Sequence, residues 1–266
     1  MRTFEDFLRE LELLDTFELL GRATTDVPNV VEEVAPPIAA RETPAVASRP
    51  PLQAAKIAAT APITIDPARI ARIAAMDWAA LSQEAATCSA CSLCKQRKQV
   101  VFGVGAVAAP WLFVGEAPGA EEDETGEPFV GQAGKLLDAM LAAAGLQRGR
   151  EVYIANVVKC RPPGNRTPTL DEAAACAPLL DRQIDLIQPA LIVALGKTAV
   201  MRLTGSDASM ASMRGKSHSY RDIPVVATYH PAYLLRSLGE KLKAWEDMLL
   251  ARHEMAKQVA KLASNG

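Results

Sequence analysis

The stretch "WLFVGE", residues 111–116, is a short run of large apolar residues that ends abruptly in glycine and glutamate. A run so short and unbroken reads as a strand buried on both faces, because a strand with one wet face alternates polar with apolar residues. Three further runs have the same character: "EVYIANVVKC" (151–160), "ALIVALG" (190–196) and "PVVATYH" (224–230). Helical patterns occupy about 131–145, 170–188 and 197–204 between them. Strands alternating with helices predict an α/β fold, a three-layer α/β/α sandwich around a central, mostly parallel four-stranded sheet. Ligands of such sheets sit beyond the carboxyl ends of the strands. The four runs end in Gly115-Glu116-Ala117-Pro118-Gly119, in Asn156 and Cys160, in Gly196-Lys197-Thr198 and in His230-Pro231, so the polar chemistry collects at one crevice.

The rest of the chain frames this region. Of 266 residues, 49% are apolar and 23% charged, enough for a core without covalent staples. No apolar run approaches a membrane span, and "MRTFEDFLRE" alternates charge with apolar residues where a secretory leader would be basic and then apolar, which places the chain in the cytoplasm. Residues 1–34 hold nine acids and three bases, leaving 22 of the 31 acidic and 26 of the 29 basic residues in the remainder. The net charge of -2 therefore conceals a mildly basic body. Phe4, Phe7, Leu8, Leu11 and Leu14 fall at helical spacing behind a Thr3/Asp6 capping pattern, so residues 1–22 are expected to form an acidic amphipathic helix. It either packs on its own domain or docks a protein partner. Residues 23–65, with seven prolines and no aromatic residue, have the composition of a disordered linker. Order is expected to resume at Asp66-Pro67, an N-cap and first-turn proline, with one helical pattern running through Trp78 and Leu81 toward Cys88, and the domain to span 66–266.

Five cysteines in a chain without an export signal argue against a disulfide framework and for metal. Cys88 and Cys91 form a CxxC pair, the spacing that lets two sulfurs face one centre, and Cys160 and Cys176 flank the loop "RPPGNRTPTLDEAAA". Four thiols suit a structural zinc or an iron–sulfur cluster, and spacing alone does not separate the two. Cys94 reads as a spare, a small buried hydrophobe.

Three ordered motifs carry a resemblance: "GEAPGAEEDETGEPFVGQAGKLL" (115–137), "NVVKCRPPGNRTPTLDEAAAC" (156–176) and "YHPAYLLR" (229–236), preceded by the CxxC and by "VVFGVG". Together they resemble the iron–sulfur branch of the uracil-DNA glycosylase superfamily, called family 4, over roughly Cys88 to Arg236. The resemblance implies the uracil-DNA glycosylase-like sandwich and a [4Fe-4S] cluster on Cys88, Cys91, Cys160 and Cys176. It also implies a monofunctional enzyme, acting as a monomer on uracil-containing DNA, that removes the base and leaves an abasic site. The competing readings are a non-catalytic module of the same fold that captures uracil-containing DNA, and a cysteine-ligated electron-transfer or zinc protein.

Excision asks for a flipped base, a pocket to read it, a donor for the leaving uracil and a positioned water. Phe129 offers a ring to stack on the base, and Asn156, the family's pyrimidine-reading asparagine, an amide that donates to a carbonyl while accepting from a ring N–H. In the resemblance His230 hydrogen-bonds the uracil carbonyl. The position that carries an aspartate in the best-known branch is Ala117, so Glu116 and Glu122 are the candidates for the water, with Asn165 expected to orient Glu122 or His230. Leu234 and Leu235 are the expected wedge, and Arg236 and Arg166, with Lys159, Arg161, Arg214 and Lys216, the expected phosphate contacts. The glycine turns at Gly115–Gly119 and Gly131–Gly134 are expected to let backbone amides approach base or phosphate. His218 and His253 read as surface residues.

Overall fold

The structure, a computed structural model, describes residues 66–264. The expected acidic helix at 1–22 and linker at 23–65 lie outside the described residues. Four parallel strands form the centre of the sheet in the spatial order β3 (Val152–Asn156), β2 (Trp111–Gly115), β4 (Leu191–Leu195), β6 (Ile223–Thr228). Two antiparallel edge strands, β1 (Val104–Gly105) beside β3 and β5 (Ser217–Tyr220) beside β6, extend it to six. Both edges escape the hydrophobic pattern for a physical reason. β1 is two residues long, and "SHSY" in β5 is half wet, with no apolar run to betray it.

Alternation along the central strands divides the core into two layers. Leu112, Val114, Tyr153, Ile192, Ala194 and Val225 face one side, where they meet Ile73, Leu81, Leu179, Ile184, Val200 and Leu203 from α1 (Pro67–Ala74), α2 (Trp78–Thr87), α5 (Leu170–Ile187) and α6 (Lys197–Thr204). Trp111, Phe113, Ile154, Leu191, Val193 and Val226 face the other, against Leu137, Met140 and Leu141 of α4 (Gln132–Ala143) and Trp245 and Met248 of α9 (Lys241–Ser264). Both faces are dry, which is why the strands read as continuous apolar runs. Each fully buried Leu or Phe contributes roughly 1.5–3 kcal/mol. Three short helices complete the described chain: α3 (Ala120–Thr125), α7 (Met210–Met213) and α8 (Pro231–Leu234).

The first helical pattern resolves into two helices. Asp66 caps α1 by accepting from Ala68 N at 2.9 Å, and Asp77 starts α2 in the same way by accepting from Ala80 N at 2.9 Å. The run "EVYIANVVKC" leaves the sheet after Asn156, and the amides of Val157 and Val158 reach back to the carbonyls of Gly115 and Glu116. α5 opens with a reciprocal cap: Thr169 Oγ1 accepts from Glu172 N and Glu172 Oε2 from Thr169 N. The chain passes from β2 to β3 on one side and then crosses to β4 on the other, so a crevice opens at the carboxyl ends of β2 and β4. Among the described residues no helix is long and apolar enough to cross a membrane.

Candidate functional site

A cavity of about 530 Å³ occupies that crevice. The segment after β2 lines it with Glu116, Ala117 and Gly119, α3 with Glu122, β3 with Asn156, and the segment after β6 with His230. Parallel register sets Gly115 directly beside Asn156. A β-carbon at Gly115 would overlap Asn156 Oδ1 and the Phe129 ring, so the absent side chain is what lets both close in on this position. Asn156 is 1% exposed, and its Oδ1 has no hydrogen-bond partner among the described residues. A buried acceptor left unpaired costs about 1–3 kcal/mol, which marks it as waiting for a donor.

Phe129 is buried with φ 56°, and its ring stacks on His230 with centroids 5.5 Å apart. His230 caps α8, its Nδ1 accepting from Ala232 N at 3.1 Å. A nitrogen that accepts carries no proton, so the neutral ring holds its hydrogen on Nε2. Burial pushes the His230 pKa down to about 4, and the nearby Arg236 guanidinium pushes the same way. At neutral pH the ring is an uncharged N–H donor.

The two glutamates differ. Glu122 receives the backbone amides of Gly119, Val130 and Gly131 at 3.0, 3.0 and 3.1 Å, so its carboxylate braces two turns. Glu116 is half-buried at the cavity wall, and its Oε2 accepts from the hydroxyl of Thr198, the residue that opens the buried face of α6. Asn165 also lines the cavity, but its Oδ1 accepts from Arg161 Nε at 2.7 Å, which differs from the expected bond to Glu122 or His230. Gly131 and Gly134 serve the turn itself. The Gly131 amide is taken by Glu122, and a β-carbon at Gly134 would collide with the Phe129 carbonyl.

The expected wedge is corrected by burial. Leu234 is 0% exposed in the core beneath α8, because a one-turn helix turns one residue inward, whereas Leu235 is 42% exposed and Tyr233, 38% exposed, lines the cavity. Among the expected phosphate contacts, Arg236 is exposed at the rim with no ion-pair partner among the described residues. Arg166 spends its guanidinium on both oxygens of Glu172 at 2.8 and 2.7 Å, and the half-buried Arg214 is paired with buried Asp247 at 2.6 Å. Lys159 is 1% exposed and donates to the Asn156 carbonyl at 3.0 Å. The last two are not available to a phosphate. His218 is half-buried in β5, bonded to the Met213 carbonyl at 2.7 Å, and His253 is exposed.

A second, smaller cavity is lined by Cys88, Cys91, Cys94, Cys160 and Cys176. None is in a disulfide. Burial raises the thiols of Cys91 and Cys160 and pushes Cys176 up to about 12. Positive groups and N–H donors surround them. Arg97 Nη1 donates to Cys160 Sγ at 3.2 Å, the Lys159 amide to Cys176 Sγ at 3.3 Å, and Arg69 Nη2 to Cys88 Sγ at 3.5 Å. Buried Lys159 thus stands between the thiols and the carbonyl of Asn156, a placement the sequence signalled only by setting a lysine inside an apolar run. Among the described residues no three His, Cys, Asp or Glu side chains converge on the position of a single ion.

Residues 102–249 match the family model of the uracil DNA glycosylase superfamily. The chain is 47% identical over 165 residues to the Type-4 uracil-DNA glycosylase of Thermotoga maritima, covering 61% of this chain and 85% of that protein. It is 45% identical over 169 residues to the Type-4 uracil-DNA glycosylase of Pyrobaculum aerophilum, covering 60% of this chain and 86% of that protein. A Type-5 uracil-DNA glycosylase of the same organism is 32% identical over 159 residues, which are 51% of this chain and 70% of the relative.

Proposed function

The chain belongs to the uracil-DNA glycosylase superfamily, and from that premise we propose that it excises uracil from DNA by hydrolysing the N-glycosidic bond, leaving an abasic site for repair. The observation that carries the reading is the unpartnered Oδ1 of Asn156, buried beside Phe129 where the edge of a flipped base would lie. The amide matches a uracil edge, accepting from its ring N–H and donating to its carbonyl, whereas cytosine offers an amino donor where that carbonyl would be.

Leu235 and Tyr233 fill the gap left by the flipped nucleotide, and Arg236 holds an adjacent phosphate, offsetting an unstacking cost of a few kcal/mol. Phe129 stacks on the ring. As the glycosidic bond breaks, negative charge gathers on the uracil carbonyl that faces His230, and the Nε2–H donates to it without needing a charged imidazolium. A donor already aimed in a dry site supplies on the order of 2.7–4 kcal/mol. Glu116 is the carboxylate that faces the sugar, oriented by the Thr198 hydroxyl, where it holds the water and offsets the positive charge of the oxocarbenium-like sugar. Glu122, occupied by three amides, shapes the pocket.

The cysteine cavity fits a [4Fe-4S] cluster held by Cys88, Cys91, Cys160 and Cys176. Its donors are all thiols, the ligands an iron–sulfur cluster takes, and the guanidinium groups of Arg97 and Arg69 and the amide of Lys159 donate to its sulfurs. When bound, the cluster supplies a fixed junction between the end of α2, the segment that follows β3, and α5, which pins the proline-rich loop that carries Asn165 and Arg166.

The test is an oligonucleotide with one uracil, incubated with the protein and then treated with alkali. The expected result is alkali-dependent cleavage at uracil alone, lost in Asn156→Ala with iron and labile sulfide unchanged. Full activity in Asn156→Ala would overturn the pocket assignment.

A further inference from the structure

Phe129 has a left-handed backbone, φ 56°, which a residue with a β-carbon keeps only where its surroundings hold it. What holds it comes from both sides. Arg148, in the connection between α4 and β3 and outside the cavity wall, donates from Nη1 to the Pro128 carbonyl at 2.7 Å and from Nη2 to the Phe129 carbonyl at 2.8 Å. Its Nε donates to Asp138 Oδ1 of α4 at 2.9 Å, which fixes the plane of the fork. On the opposite side the Glu122 carboxylate takes the amides of Val130 and Gly131. The turn is thus gripped by a cation at its carbonyls and an anion at its amides. The first turn of α4 closes the space around it, since a β-carbon at Gly134 would strike the Phe129 carbonyl.

The ring this turn presents shares with Asn156 the space left by the missing side chain of Gly115 and stacks on His230. We infer that Arg148 is a positioning residue for excision: its fork fixes the backbone of Phe129, and through it the ring that faces the base, without itself touching the substrate. The inference deepens the proposed glycosylase reading and rests on it for its kinetic part. A guanidinium is required because two parallel N–H groups must span adjacent carbonyls while a third bonds Asp138, which the single nitrogen of lysine does not do.

Arg148→Lys keeps the charge and removes the fork. The expected effect is a fall in kcat of about 10- to 100-fold, the loss that a displaced pocket group causes, with KM and the affinity for abasic-site DNA within about two-fold and the melting temperature unchanged. In a Phe129→Ala background the same substitution is expected to lower kcat less than about two-fold, because a residue acting through the ring has nothing left to position. Equal losses in both backgrounds, or a wild-type kcat in Arg148→Lys, would overturn the inference. A second readout needs no turnover. In protein labelled with 4-fluorophenylalanine, with the Phe129 line identified by its disappearance in Phe129→Leu, Arg148→Lys is expected to shift or broaden that line. An unmoved line sinks the positioning role whether or not uracil is released. A wild-type protein that releases no uracil sinks the glycosylase reading alone. If Arg148→Lys melts well below wild type, Arg148→Gln, which keeps a planar donor to one carbonyl, is put through the same measurements.

Discussion

At the residue scale the site separates groups that look equivalent in the chain. Glu116 and Glu122 sit six positions apart in one motif, yet one bonds a hydroxyl at the cavity wall and the other three backbone amides. Glu116→Gln is therefore expected to lower kcat about 10²–10⁴-fold with the melting temperature unmoved, the range lost with a group that handles a proton or water. Glu122→Gln is expected to lose roughly 1–3 kcal/mol of stability as well, since its new amide faces donors it cannot accept from. Unfolding curves beside single-turnover rates check both, and a stable, inactive Glu122→Gln would reverse the assignment. His230 supplies a pH test. With its pKa held near 4 by burial, first, and by Arg236, the ring stays neutral through mildly acidic solution. The kcat/KM profile is expected to show no limb from His230 between pH 5 and 8, whereas a limb near the ordinary value of about 6.5 would mean a solvated imidazole. The depressed value also sets the stability sign. The unfolded chain takes up this proton at about 6.5 and the folded chain only near 4, so the contribution is complete above pH 6.5 and declines as pH falls through that interval. His230→Asn is expected to flatten that decline.

At the scale of elements, α8 decides what "HPAYLLR" can do. Its one turn points Leu234 into the core under α4 and α9 and leaves Leu235 outward. Leu234→Ala is expected to cost about 2–5 kcal/mol of stability. Leu235→Ala is expected to change stability by less than about 0.5 kcal/mol while weakening productive binding of double-stranded uracil DNA more than single-stranded. Equal effects on the two substrates would show that Leu235 is no wedge. The short helix was visible in the sequence as a proline after a histidine, but not its rotation about the core, which is set by what packs beneath it. The same limit applies to Arg166, Arg214 and Lys159. Their charge is plain in the chain, but Glu172, Asp247 and the Asn156 carbonyl, which occupy them, arrive from other segments or from a fold of the backbone.

At the scale of the whole molecule, the cysteine cavity joins α2, the segment that follows β3, and α5, and the cation next to it, Lys159, touches the strand that bears Asn156. Removing the proposed cluster by chelation under reducing conditions is expected to lower the melting temperature and expose the 161–169 loop to protease, with activity falling in step. Cys160→Ser is expected to do the same, and Cys94→Ser to leave iron content unchanged. A chelated protein with native melting would mean that the thiols bind nothing structural. The two-layered core needs no tertiary information to be anticipated: runs such as 111–114 and 191–195 are apolar throughout because both faces are covered, and the caps at Asp66 and Thr169 act within four residues of themselves. Chain order alone thus determined the alternation of strand and helix, the polar strand ends, and the set of thiols. Tertiary structure alone decided that the edges of the sheet carry two more strands, that Leu234 is core and Leu235 surface, that Glu122 is bound by amides, and that Arg148, some twenty residues away, grips the Phe129 turn. The reason is physical: periodicity and capping are interactions within one element, whereas burial and the partner of a charge depend on which other element the fold brings alongside.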